Sequence, residues 1–274
     1  MGKTQLNFKK AGIITLTSAM LFGGLLPTIS HAEESNIAKL QTFSLSNMPE
    51  KAKNIDLNEL KETGEEYLSE EEVRSIDPYQ LNLIFKELKD EIKNGKYTHA
   101  ELNQIASDKI KNSTAKSPSL YGYDIPGMPD LTEAEISLAK RHPIEFVTYG
   151  GCSIDALNEA KKYYGGDQLT KGNGDAFRHA YWNAILVPNM GGSSGAVYGE
   201  ERAKAWTDAH EQYSVGIDKE MDLHNNWFGR SVAMNNYYWT TSKYSSYMRE
   251  RVSKGSLARI VNNQLVATNG VTGK

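Results

Sequence analysis

The stretch Asp175-Ala-Phe-Arg178-His179-Ala-Tyr-Trp182 decides how the rest of the chain is read. It sets a carboxylate, a guanidinium and an imidazole among alanines and aromatics, with neither Gly nor Pro to interrupt a helix. On a helix Asp175 and His179 stand at i, i+4 and share a face, with Arg178 beside them and Trp182 on the next turn. Alternatively Asp175 is the N-cap, its carboxylate tied to backbone amides. Burying an unpaired polar group costs roughly 2–7 kcal/mol even when it is neutral. Such a stretch is therefore either a site or a fully satisfied polar network.

Two further clusters share this character, Asp208-Ala-His210-Glu211 and Met221-Asp222-Leu-His224-Asn225-Asn226-Trp-Phe-Gly229-Arg230. Three of the six histidines fall in the three clusters. Thr207 and Glu211 are i, i+4, whereas adjacent His210 and Glu211 point about 100° apart, so only a wide cleft sees both. Asp222, Asn225, Asn226, Gly229 and Arg230 form one helical stripe, with His224 on another face. Gly229 in that stripe admits a neighbouring backbone or ligand, at a helix cost near ~1 kcal/mol relative to Ala.

The convergent set is Asp175, His179, His210 or Glu211, Asp222 and Asn226. Two imidazoles with two or three carboxylates suit a divalent ion, and zinc, manganese, magnesium and calcium are all compatible with the donor types. In that reading Asp175, His179 and Asp222 are the metal ligands. Glu211 is the general base, His210 and Arg178 complete the catalytic set, and Arg230 and Asn226 contact substrate. The rival reading makes the same residues a metal-free network of inter-helix ion pairs. A cysteine hydrolase built on Cys152 finds no supporting spacing, and a small residue within a helix is the simpler account.

The N-terminus bears on compartment. Lys3, Lys9 and Lys10 precede an apolar stretch from Ala11 to Leu26, and Ser30-His31-Ala32 offers a small-x-small cleavage site. Residues 1–32 thus read as a secretory signal peptide, which places the mature chain outside the cell or in its envelope. The apolar stretch falls short of the roughly 20 residues that span a bilayer, and no later segment approaches that length. Removing three lysines and no acid takes the formal charge from −3 to −6, which argues against a broad nucleic-acid-binding surface. With one cysteine, no intramolecular disulfide forms.

The pattern predicts a mainly α chain: a helical, acidic accessory segment over 33–111, a linker over 112–130, and a multi-helix domain over 131–274 ending in a small β-hairpin. In the first segment Asp77-Pro78 supplies an N-cap and N1 proline, and Thr98-His-Ala-Glu101 a capping box. Thr132-Glu-Ala-Glu135 opens the C-terminal unit in the same way. A helix from Ile144 to Tyr164 is expected to be disturbed at Gly150-Gly151. Residues 188–195 separate the first two cluster helices, and Asp218 is the expected N-cap of the third. Ala258–Val266 reads as two strands about Asn262-Asn263.

The strings Thr132-Glu-Ala-Glu, Arg141-His142-Pro143, Gly174-Asp175-Ala-Phe-Arg178-His179-Ala-Tyr-Trp182-Asn183-Ala, His210-Glu211 and Met221-Asp222-Leu-His224-Asn225-Asn226-x-x-Gly229-Arg230 resemble a bacterial domain of unknown function found in secreted and surface proteins. The resemblance covers roughly 130–268. It implies a mostly helical domain and no established reaction. The expected function is a secreted hydrolase, metal-dependent in the reading above, acting on an ester or phosphodiester. A non-catalytic secreted or cell-envelope interaction module and an antibacterial toxin-like effector with an immunity partner are the alternatives.

Overall fold

A computed structural model describes residues 43–116, apart from 57, 59, 61 and 62, together with 130–274. The signal-peptide reading and all but the ends of the 112–130 linker lie outside these residues. Among the described residues there are ten α-helices: α1 (Glu50–Lys53), α2 (Glu70–Ser75), α3 (Pro78–Asn94), α4 (His99–Lys116), α5 (Glu133–Arg141), α6 (Pro143–Tyr163), α7 (Asn173–Gly191), α8 (Ala196–His210), α9 (Gly216–Asn235) and α10 (Thr241–Ser253). One antiparallel hairpin follows, β1 (Ala258–Val261) and β2 (Gln264–Ala267), with Val261 opposite Gln264. The chain is mainly helical with a small C-terminal hairpin, as its pattern predicts.

Local chemistry explains the boundaries. Asp77 caps α3 through the Tyr79 amide (2.6 Å), and Gly95 closes that helix in the left-handed region at φ 65°. Thr98 with Glu101 and Thr132 with Glu135 make reciprocal capping boxes at α4 and α5. Asn262 and Asn263 take φ 50° and 58°, the left-handed pair that a two-residue hairpin turn requires.

Four boundaries differ from expectation. α4 runs on to Lys116, five residues into the stretch read as linker, because Ser113 and Thr114 do not break a helix already capped and packed upstream. α6 is unbroken at Gly150-Gly151. A Cβ there would meet Leu81 and Phe85 at 2.6 and 2.5 Å, so the two glycines are the seat of α3. α7 passes Pro188 and ends at Gly191, and the Asn189 amide bonds the Ile185 carbonyl (2.8 Å) beside the lost backbone bond. α9 begins at Gly216, so Asp218 lies in its first turn rather than at the cap.

α7 is the central helix. Every residue in it except Pro188 is buried, and α6, α8, α9 and α10 pack around it. One hydrophobic core joins α3 and α4 (Leu81, Phe85, Leu102, Ile110) to α6 and α7 (Phe146, Val147, Phe177, Leu186), so the acidic segment is built into the same body as the clusters. The chain beyond β2 returns to the start of α7. Asn173 donates to Asn269 Oδ1 and to the Val271 carbonyl, both at 2.7 Å, and accepts from the Asn269 amide at 3.1 Å.

α7 and α9 are in close contact at Gly229, where a Cβ would collide with the Ala180 carbonyl oxygen and stand 2.8 Å from Asn183 Cβ. Gly229→Ala therefore forces the helices apart despite the better helix propensity of alanine. Its expected cost is about 1–3 kcal/mol, read from urea unfolding, and an unchanged or raised stability would refute the close contact.

Candidate functional site

The three clusters come from three helices that meet at one place. α7 supplies Asp175, Arg178, His179 and Asn183; the end of α8 and the turn after it supply Thr207, His210 and Glu211; α9 supplies Asp222, Asn226 and Arg230. Asp175 takes the helical position and not the cap, since the N-cap of α7 is Gly172. It sits in the first turn of α7, where one carboxylate oxygen takes the Lys171 amide (2.6 Å) and the other takes Arg178 Nη2 (2.6 Å). Lys171 turns the chain at φ 59° and bonds Asp218 on α9 (2.6 Å), linking the starts of the two helices.

His179 is 3 % exposed and meets cluster residues of both α7 and α9. Its Nδ1 meets Asn226 Oδ1 at 3.2 Å, and its Nε2 lies 2.9 Å from Arg178 Nη2, 3.4 Å from Asp222 Oδ1 and 3.6 Å from Asp175 Oδ1. Burial, then the Arg178 charge, pushes its pKa down to about 3, so the ring is neutral near pH 7. Asp175 is the reverse: burial pushes its carboxyl up, and the charge of Arg178 with the accepted hydrogen bonds more than offsets that, leaving it below the ordinary value. Asp222 is held well above the ordinary carboxylate range by burial and by the charges of Glu211 and Asp175.

The second histidine is organised differently. His210 Nδ1 lies 3.1 Å from Glu135 Oε1, and the Tyr149 hydroxyl donates to the same oxygen. Glu135 is 1 % exposed and is fixed by its capping box, in which Oε2 takes the Thr132 amide at 2.7 Å. Burial alone would lower the His210 pKa, but the Glu135 carboxylate outweighs it and the net shift is upward. His179 and His210 both make edge contacts with Trp182, at ring separations of 6.3 and 5.6 Å. Two histidines of opposite protonation preference thus flank one indole.

Glu211 is 1 % exposed; Ser214 donates to its Oε2 at 2.6 Å, and its Oε1 has no hydrogen-bond partner among the described residues. Burial raises its pKa. Arg230 is 1 % exposed and spends its guanidinium on Asn183 Oδ1 (2.9 Å), Thr207 Oγ1 (3.0 Å) and Glu200 (3.2 Å). Asn226 is fully buried between His179 and Asn183. Both residues read as substrate contacts are therefore part of the internal network. The α9 stripe also divides: Asn225 exchanges two hydrogen bonds with Ala258 and anchors β1. His224 packs against Phe43, Trp227 and Phe228, away from the cluster.

Asp175, His179 and Asp222 are spaced as ligands of one ion would be, at 3.4–3.6 Å apart across Nε2. The Arg178 nitrogen stands inside that set, within hydrogen-bond distance of Asp175 and His179. Among the described residues, no group of three or more His, Cys, Asp and Glu is arranged to hold a metal. As arranged, the donors hold a guanidinium and do not fit a resident cation. Cys152 is buried, and burial pushes its thiol well up, the opposite of an activated nucleophile.

Residues 136–256 match the family model described as Domain of unknown function (DUF6973). The matched stretch runs from α5 through α10 and contains Asp175, Arg178, His179, His210, Glu211 and Asp222. No curated protein and no solved structure matches the chain. Glu135 lies one residue before the DUF6973 match, and its capping-box spacing hides its second role, since a box alone needs only one of its two oxygens.

The Glu135–His210 pair has a definite pH signature. The lowered Glu135 pKa contributes stability above its ordinary 4.5, and the raised His210 pKa contributes stability that is complete below 6.5 and lost as pH rises through the folded value. The stability gap between wild type and Glu135→Gln should therefore be widest between those limits and narrow toward alkaline pH. Thermal melts across pH test this, and a gap that widens toward pH 9 would contradict the pairing.

Proposed function

We propose that the chain is a secreted hydrolase of anionic esters, phosphodiesters above all, working by general acid–base catalysis without a step through a metal. The observation that carries this reading is the Glu135-backed His210 set beside Arg178, Glu211 and neutral His179 in one buried cluster. A buried dyad of this kind keeps imidazole in the Nδ1–H form and favours its cation, which suits proton donation to a leaving group. Glu211, with one oxygen unpartnered among the described residues and its pKa raised, suits removal of a proton from water. Arg178 supplies the positive charge for an anionic substrate oxygen.

The roles make the pH dependence specific. Activity needs Glu211 ionised and His210 protonated, giving a bell whose acid limb lies above 4.5 and whose alkaline limb lies above 6.5. Glu135→Gln removes the charge that favours the imidazolium and moves the alkaline limb to lower pH.

Chromogenic phosphodiesters, phosphomonoesters and carboxylic esters, assayed with the purified chain from Glu33 onward, test the proposal. His210→Gln and Glu211→Gln should each lower kcat/KM on the diester about 10²–10⁴-fold, and a chelator should leave the rate unchanged. Loss of activity on chelation, restored by one divalent ion, would return the site to the metal-dependent reading. Turnover of none of these, with His179→Ala lowering only the melting temperature, would favour a structural network in an envelope module. N-terminal sequencing of the exported protein should find Glu33 first.

A further inference from the structure

A line of three buried residues connects two arginines through the centre of the α7–α9 contact. Arg230 Nη1 donates to Asn183 Oδ1 at 2.9 Å; Asn183 Nδ2 donates to Asn226 Oδ1 at 2.7 Å; Asn226 Oδ1 faces His179 Nδ1 at 3.2 Å; and His179 Nε2 faces Arg178 Nη2 at 2.9 Å. Asn183, Asn226 and Arg230 are at most 1 % exposed. Asn183 is part of none of the polar roles read from the sequence.

The ends of this line fix the sense of every bond in it. A guanidinium only donates, so Asn183 must turn its oxygen to Arg230 and its NH2 to Asn226. Asn226 must then offer its oxygen to the ring, and His179 must carry its proton on Nδ1. That leaves a lone pair on Nε2, the one form that accepts from Arg178, which is also only a donor. The opposite tautomer would set two N–H groups against each other at 2.9 Å. Asn183 holds the same orientation from a second side, since its NH2 also bonds the His179 carbonyl at 3.1 Å.

We infer that Arg230, Asn183 and Asn226 are positioning residues that set the tautomer of His179 and, through its Nε2, hold the Arg178 guanidinium in place with Asp175. The part concerning Arg178 rests on the anionic substrate proposed above; the part concerning the ring does not. The network thus belongs to substrate binding rather than to proton transfer. Asn226 and Arg230 act two and four groups away from the substrate charge.

The direct test is 15N NMR of imidazole-labelled protein at neutral pH, with no substrate present. His179 should show the Nδ1–H tautomer in the wild type and in Asn226→Asp, which keeps an acceptor at that place. Asn226→Leu, which cannot accept, should lose the preference. With diester substrate, Asn226→Leu should raise KM about tenfold with kcat within about twofold, and Asn226→Asp should restore KM. An Nε2–H tautomer in the wild type overturns the inference, and so does a kcat loss with unchanged KM. If Asn226→Leu does not fold, the wild-type tautomer together with Asn226→Asp still decides it. Should the expected tautomers appear in a protein that hydrolyses nothing, the hydrolase reading fails while the positioning of His179 stands.

Discussion

Backbone contact at Gly229 is the constraint on which the site depends. With no Cβ between them, α7 and α9 come close enough for one side-chain amide to bridge them, and Asn183 to Asn226 is that bridge. Larger separation would let water into a network that holds two guanidinium groups, an imidazole and several carboxylates below the surface. Buried charge at this density is tolerable only when donors and acceptors are matched nearly one for one. Along the line from Arg230 to Arg178 the sense of each bond is set by residues that cannot choose their role, the two arginines at its ends, while Asn226 Nδ2 and Glu211 Oε1 have no hydrogen-bond partner among the described residues.

The two histidines show how one environment yields two chemistries. His179 is buried and His210 partly buried beside Trp182, and desolvation alone would lower both pKa values. His179 stays low because the nearest charge is Arg178, whereas His210 rises because its nearest charge is Glu135. The opposite signs of the two shifts follow from the charged neighbour of each ring. One imidazole is thus held neutral and the other inclined to its cation within a single cluster.

Much of this was legible in the residues themselves. The capping boxes, the Asp77-Pro78 start, the Asn262-Asn263 turn and the spacing of Asp175 and His179 follow from local rules, and local rules place them correctly. The meaning of Gly229 was readable for the same reason. What local rules could not supply was partnership across helices. Glu135 and His210 are 75 residues apart, and Asn183 and Arg230 are 47 apart, so nothing in either neighbourhood announces the pair. The same gap explains why Asn226 and Arg230 read as substrate contacts: polar residues on a buried stripe look alike until their partners are known. Gly150 and Gly151 looked like a break because the helix that fills the space above them lies far away in sequence.

The return of the chain to Asn173 carries a consequence for the order of assembly. The first turn of α7, from which Asp175 extends, is closed by Asn269 and Val271, which follow Asn173 by 96 and 98 residues. A contact of that sequence separation is entropically expensive to form early and is satisfied late. During synthesis the core helices can find one another before this clasp exists, so a partly made chain would hold its hydrophobic interior without an ordered start to α7. Competence of the cluster is in this way made to wait for residues that emerge well after all of its own members.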